Sequence, residues 1–151
     1  MESLNIDKNT VEKNLSDLKP SKSPGPDGIH PRVLKELAAE VATPLQMIFQ
    51  SSISSGTIPQ SWKMTNITPI FKKGDKRDPS NYRPVSLTCI VSKILERIIR
   101  DNLIDHFRRN HLLSGKQYGF LTGRSTTIQL IRVMEDWTQC IDRGSAVDVV
   151  S

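Results

Sequence analysis

Apolar residues fall in short bursts along this chain, and the spacing of each burst names an element. Val11, Leu15 and Leu18 share one helical face, and Thr10 has the side chain to cap a short helix over residues 10–18. Pro31 suits a first helical position. Val33, Leu34, Leu37, Ala38 and Val41 then repeat at helical spacing until Pro44, which predicts a stop or kink near residues 42–43. Leu45, Ile48, Phe49 and Ile53 predict the buried side of a second helix, with Gly56 as its C-terminal stop. Pro59 and Trp62 mark a turn packed onto the core. Ser92 stands as a cap before the longest stripe, Ile94, Leu95, Ile98, Ile99, Leu103, Ile104 and Phe107. That stripe predicts a helix to residue 110, with Lys93, Arg97, Arg100, Arg108 and Arg109 as a solvated face. A last helix over residues 126–142 is expected to bury Leu130, Val133, Met134, Trp137 and Ile141, and Gly144 ends it.

The remaining bursts have the character of strands and loops. Residues 66–71 read as a strand that Pro69 assigns to a sheet edge, and Val85-Ser-Leu87 is its antiparallel partner. The connection, residues 72–81, is longer than a tight turn, and such loops within a domain are often functional. Gln117-Tyr-Gly-Phe120 is expected to be extended, residues 122–126 a turn, and Ala146-Val-Asp-Val-Val150 a β-branched strand. Pro20-Ser-Lys-Ser-Pro-Gly-Pro-Asp-Gly28 excludes helix and central strand. Its prolines fix φ and Asp27-Gly28 makes a turn, so the loop is expected to be rigid. The pattern is α+β, mainly helical with a β-hairpin.

Length and charge narrow the picture. The 151 residues fit one ordinary domain, and a net charge of +5 favours an anionic partner, nucleic acid before membrane surface. Cys89 and Cys140 form no CxxC pair, and His30, His106 and His111 stand at no ligand spacing to them, which argues against a zinc site. Two isolated cysteines suit reduced thiols in an intracellular protein, nuclear or cytoplasmic. The start, Met1-Glu-Ser-Leu-Asn-Ile-Asp7, is polar and acidic rather than a secretory leader. No apolar run approaches the roughly 20 residues that cross a bilayer, so no membrane partner is expected.

Two constellations could meet phosphate. Residues 63–83 hold Lys63, Lys72, Lys73, Lys76, Arg77 and Arg83 against Asp75 and Asp78. Binding a nucleic-acid backbone needs several cations on a common surface. Arg83 sits between Tyr82 and Pro84, and a restrained guanidinium loses less entropy on gripping phosphate. The bland alternative is a solvated turn. In the second constellation, Gly119 and Gly123 permit close backbone approach, while Gln117, Arg124 and Ser125 could reach phosphates or sugar hydroxyls where a turn enters a helix N-terminus. A simple cap and turn would read the same way. No Asp-Asp pair and no nucleophile–base arrangement is visible, so neither a catalytic nor a metal-binding residue is assigned.

Taken together and in order, Ser23-Pro-Gly-Pro-Asp-Gly-Ile-His-Pro31, Pro69-Ile-Phe-Lys-Lys-Gly74, Asn81-Tyr-Arg-Pro-Val-Ser-Leu87, Ser92-Lys-Ile-Leu-Glu96 and Gln117-Tyr-Gly-Phe120 with Gly123-Arg-Ser125 resemble the N-terminal part of the reverse transcriptase of LINE-type (non-LTR) retrotransposons, of the jockey-like sort. The resemblance implies the fingers and first palm strand of a right-hand polymerase. Residues 1–62 would be a helical lead-in, with the Pro/Gly loop, that holds template RNA. Residues 63–151 would be the reverse transcriptase domain. It implies that Lys72 or Lys73 and Arg83 contact the nucleoside triphosphate or template backbone, and that Gln117, Gly119, Arg124 and Ser125 line the template–nucleotide pocket. The implied partners are an RNA template, a DNA primer, a deoxynucleoside triphosphate and the remainder of the polymerase chain. Mg²⁺ is implied for the intact enzyme and no cofactor for this stretch.

Two departures qualify the resemblance. Leu121 and Thr122 stand where the family usually has basic residues. The strand bearing Asp148 leads toward the family's first catalytic aspartate without containing it, so this chain alone is not expected to polymerise. The rival readings are a stand-alone RNA- or DNA-binding module and a non-functional remnant of a mobile element.

Overall fold

The computed structural model of the chain describes residues 4–119 and 121–146. The expected strand over residues 146–150, with Asp148, lies outside them apart from Ala146, as does Phe120. Helix α1 spans Lys8–Ser16, α2 Pro31–Glu36 and α3 Ala38–Ser55. A 3₁₀ turn, Gln60–Lys63, precedes the antiparallel strands β1, Thr65–Phe71, and β2, Tyr82–Thr88; α4 is Ile90–Arg109 and α5 is Thr126–Asp142. The composition is mixed helix and strand, as the α+β expectation has it. By internal contact the chain divides into residues 1–105 and residues 106–151.

The first unit is organised around a buried cluster. Val11 and Leu15 of α1, Leu34 of α2, Ala38, Ala42 and Phe49 of α3, and Ile90, Val91, Ile94, Leu95 and Ile98 of α4 form it. Trp62 packs on its margin, edge-on to Phe49 at 5.8 Å. Ile6 is buried in extended backbone, whose polar groups need partners away from water. Two glutamines of α3 supply them: Gln50 Oε1 accepts from Ile6 N at 2.9 Å, and Gln46 Nε2 donates to Ile6 O at 2.9 Å.

Three helix boundaries differ from the sequence expectation. Asp7, not Thr10, caps α1, because its carboxylate takes both the Thr10 amide (2.9 Å) and the Thr10 hydroxyl (2.6 Å). The break in the second helical stretch falls at Leu37, while Pro44 lies inside α3. Pro44 and Glu40 are both on the exposed side, so the Glu40 carbonyl that loses its amide partner can turn to water. Ser92 lies inside α4 rather than ahead of it: Cys89 Sγ accepts the Ser92 amide at 3.3 Å, and the Ser92 hydroxyl donates back to Cys89 O at 3.0 Å. Of the expected buried positions on α3, Ile48 is 41% exposed. Gly56 stops α3 in the left-handed region, as expected, at φ 66°.

The Pro/Gly loop is held at one point. Gly25 is buried, and a Cβ built there would meet Cys89 Cα at 2.5 Å and Thr88 O at 2.7 Å. Only glycine lets the loop lie this close to the β2–α4 junction.

In the second unit, Ser125 caps α5 by accepting from Ile128 N at 3.2 Å, and Gly144 follows its end at φ 69°. The expected burial of α5 is not observed. Leu130 (65% exposed), Met134 (60%) and Ile141 (69%) face outward, and even Trp137 is 39% exposed. Within residues 106–146 no described element packs over that stripe deeply enough to bury it. Gln117 and Tyr118, expected to be extended, form no strand and belong to an irregular turn region.

Candidate nucleic-acid interface

The hairpin register runs from Thr65 opposite Thr88 to Phe71 opposite Tyr82. Pro69 lies opposite Pro84. Lys72 N donates to Asn81 O at 2.8 Å, and counting back by twos makes 70–83 and 68–85 the hydrogen-bonding pairs. The two prolines therefore sit in a non-hydrogen-bonding pair, where their missing N–H groups cost no ladder bond. They also blunt both outer edges of this two-stranded ribbon.

Residues 72–81 are folded rather than loose. Gly74 has φ 90°, and a Cβ there would strike the Asn81 side chain at 2.6 Å. Asn81 Nδ2 donates to Asp75 O at 3.0 Å. The Tyr82 hydroxyl donates to Lys76 O at 2.9 Å while its ring meets Phe71 edge-on at 5.5 Å. Lys76 Nζ lies 5.7 Å over the Phe71 ring. Both acids of the loop are turned onto backbone: Asp75 Oδ1 accepts from Arg77 N and Asp78 Oδ1 from Ser80 N, each at 2.9 Å. The bonds from Ser80, the backbone one foremost, hold the Asp78 carboxyl below its usual range. Among the described residues neither acid makes an ion pair with a loop cation.

The consequence is electrostatic. Lys72, Lys73, Lys76, Arg77 and Arg83 are all exposed. The first four are carried by a loop whose carboxylates serve its own turns, and Arg83 stands at the start of β2. Arg83 pairs with Ile70 across the ribbon and, by strand alternation, shares a face with Val85 and Leu87. Sequence reasoning missed Gly74, Asn81 and Tyr82, which shape the loop. The Gly74-Asp75 dipeptide and the Asn81-Tyr82 pair were the signals available.

The second constellation is assembled in the other unit. Arg124 Nη1 donates to Gly115 O at 2.8 Å and to Gln117 O at 2.5 Å, and its guanidinium lies 5.3 Å over the Tyr118 ring. Gln117 Nε2 donates to Gly119 O at 3.0 Å. Arg132 Nη1 meets the Tyr118 hydroxyl at 2.6 Å, which pushes the guanidinium pKa up. Gln117, Gly119, Arg124 and Ser125 are thus brought together. Arg124 spends an edge on carbonyls, however, and Ser125 spends its hydroxyl on the cap, so this cluster is first of all a knot that shapes the turn.

No family model matches the chain. Individual relatives do. The chain is 33% identical over 133 residues to the probable RNA-directed DNA polymerase from transposon BS of Drosophila melanogaster, covering 87% of this chain and 15% of that protein. It is 30% identical over 134 residues to the RNA-directed DNA polymerase from mobile element jockey of Drosophila funebris, covering 88% and 15%. It is 27% identical over 140 residues to the retrovirus-related Pol polyprotein from type-1 retrotransposable element R1 of Bradysia coprophila, covering 91% and 13%. The chain thus spans about one seventh of the length of these relatives, and over that span it is similar, at 27–33% identity, to proteins named as RNA-directed DNA polymerases or Pol polyproteins of the BS, jockey and R1 elements.

Proposed function

We propose that this chain forms the fingers and the first palm strand of a retrotransposon RNA-directed DNA polymerase. Its hairpin grips the phosphates of template nucleic acid and incoming nucleoside triphosphate. The observation that carries the reading is the loop of residues 72–81, whose two acids are bound to its own amides while Lys72, Lys73, Lys76 and Arg77 stand exposed. A loop braced in this way pays little ordering entropy when it meets an anion. Arg83, at the start of β2, adds a planar donor suited to forked contact with phosphate oxygens. In the same reading residues 1–62 are a lead-in that supports template RNA, residues 63–151 belong to the polymerase domain, and Gln117, Gly119, Arg124 and Ser125 are further contacts to nucleotide or nucleic acid. DNA primer and the remainder of the polymerase chain are the other partners.

Among the described residues no three of His, Cys, Asp or Glu converge to hold a metal ion. Such polymerases generally use Mg²⁺; these described residues offer it no fitting donor set, and no step is assigned to it. No helix among the described residues is long and apolar enough to cross a membrane.

The test is the salt dependence of binding to single-stranded RNA, followed by fluorescence anisotropy. Each phosphate contact removed lowers the slope of log K against log salt by about 0.7. Lys72→Gln with Lys73→Gln should lower it by about 1.4, and Arg83→Gln should in addition weaken competition by deoxynucleoside triphosphate. Unchanged slopes in both variants would return the loop to a solvated turn.

A further inference from the structure

Every residue from 72 to 80 is exposed, so no packing against the core holds the cation loop in shape. Its order comes from its own hydrogen bonds, and these are unevenly spread. Lys73, on one side of Gly74, makes no hydrogen bond among the described residues. On the other side, residues 75–77 are tied at each step. Asp75 O accepts from Asn81 Nδ2 at 3.0 Å, Lys76 O accepts from the Tyr82 hydroxyl at 2.9 Å, and Arg77 N donates to Asp75 Oδ1 at 2.9 Å.

The Tyr82 bond differs from the others, because it comes from a side chain that is itself braced on the ribbon. Phe71 is the register partner of Tyr82, and the two rings meet edge-on at 5.5 Å. A tyrosine has an apolar body and a polar tip. Here the body is fixed at the neck of the hairpin, and the tip reaches six residues back along the chain. Lys76 is thereby held twice, by its carbonyl and by the 5.7 Å approach of its amine to the Phe71 ring. The contact with the ring is weak at an exposed site and gives way to a phosphate. The bond to the carbonyl leaves the amine able to make that exchange.

A flexible cation loses freedom when it settles on an anion, and order present beforehand reduces that loss. Salt dependence, by contrast, follows the number of charges that meet phosphate. The Tyr82 hydroxyl is uncharged. A contribution it makes through order therefore appears as affinity with no salt dependence of its own.

We infer that Tyr82 is a positioning residue, whose hydroxyl, braced by Phe71, pre-sets the Lys76–Arg77 segment for phosphate while leaving Lys73 unconstrained. This rests on the hairpin reading proposed above and divides the loop cations into a held pair and an unheld one. The competing account is a hydroxyl that merely stabilises the hairpin, which would serve all the cations alike.

The experiment uses the whole 151-residue chain and labelled single-stranded RNA, with anisotropy followed over a range of salt. Tyr82→Phe removes the hydroxyl and keeps the ring against Phe71. It should lower affinity about two- to ten-fold at every salt concentration, with the slope of log K against log salt unchanged. Lys73→Gln should lower that slope by about 0.7, and Lys76→Gln/Arg77→Gln by about 1.4. The combined variants separate the two accounts, because coupled groups are non-additive and independent ones add. The Tyr82→Phe loss should persist in full in the Lys73→Gln background and largely disappear in the Lys76→Gln/Arg77→Gln background. If the cation variants shift the slope while Tyr82→Phe binds like the parent, the positioning role falls and the hairpin reading stands. If the Tyr82→Phe loss is the same in both backgrounds, the hydroxyl is only structural and the inference is overturned. If no cation variant moves the slope, the hairpin reading falls and the positioning role goes with it.

Discussion

Helices α4 and α5 carry comparable apolar stripes, yet only the first half of the α4 stripe is buried, and Phe107 at its far end is 37% exposed. Ile94, Leu95 and Ile98 of α4 are each 4% exposed or less, whereas Leu130, Met134 and Ile141 of α5 are each at least 60% exposed. The difference does not lie in the helices. The buried part of the α4 stripe shares one cluster with residues of α1, α2 and α3, which the first unit supplies, while residues 106–146 show no comparable layer over α5 among the described residues. Helical periodicity identifies an apolar face, but burial needs a second surface to cover it.

The sharpest way to break that comparison is to remove one large side chain from each region. Phe49 is fully buried, and Phe49→Ala should cost about 3–5 kcal/mol. Leu130→Ala should stay within about 0.5 kcal/mol of the parent. Urea melting of both variants measures the contrast, and a comparable loss at Leu130 would mean that α5 is covered in solution. A smaller effect separates two glycines. Gly25→Ala drives a methyl into Cys89 backbone and should cost about 1–3 kcal/mol by forcing the loop off the β2–α4 junction. Gly115 has open space around it, and Gly115→Ala should fall within about 0.5 kcal/mol. Equal melting of the two variants would show that the close approach at Gly25 is dispensable.

The same contrast explains what could be read in advance. The hairpin was legible because its strands are short, bounded by turn residues and separated by a loop of fixed length; even the edge placement of Pro69 agrees with its outward-facing nitrogen. Gly56 and Ser125 were legible because caps are local. Pro44 misled because its penalty depends on which face of the helix it occupies, and that is set by how α3 packs. Thr10 and Ser92 misled because a better cap stood three residues earlier in each case: Asp7 for one, and Cys89, a weak and unexpected acceptor, for the other. The closing of the cation loop by Asn81 and Tyr82 was signalled only by the Gly74-Asp75 and Asn81-Tyr82 pairs, which do not by themselves tell that their ends bond across the loop.

The smallest expected effect distinguishes the caps of the two units by pH. Asp7 caps α1 with a carboxylate whose pKa lies below its ordinary value of 3.8, chiefly through the Thr10 hydroxyl and then the Thr10 amide. A carboxyl with a depressed folded pKa contributes its stabilisation fully above the unfolded value and loses it as pH falls through the folded one. Asp7→Ala should therefore cost about 0.5–1 kcal/mol near neutral pH, at the low end because the site is solvated. The gap between parent and variant should close as pH drops below 3.8. Ser125→Ala removes a hydroxyl cap of similar worth from α5, about 1 kcal/mol, but a hydroxyl does not titrate in this range, so its gap should be unchanged by acid. Helicity followed by circular dichroism between neutral pH and strong acid measures both. If the Asp7 gap persists in acid as the Ser125 gap does, the carboxylate charge contributes nothing to the α1 cap and only its hydrogen-bonding shape matters.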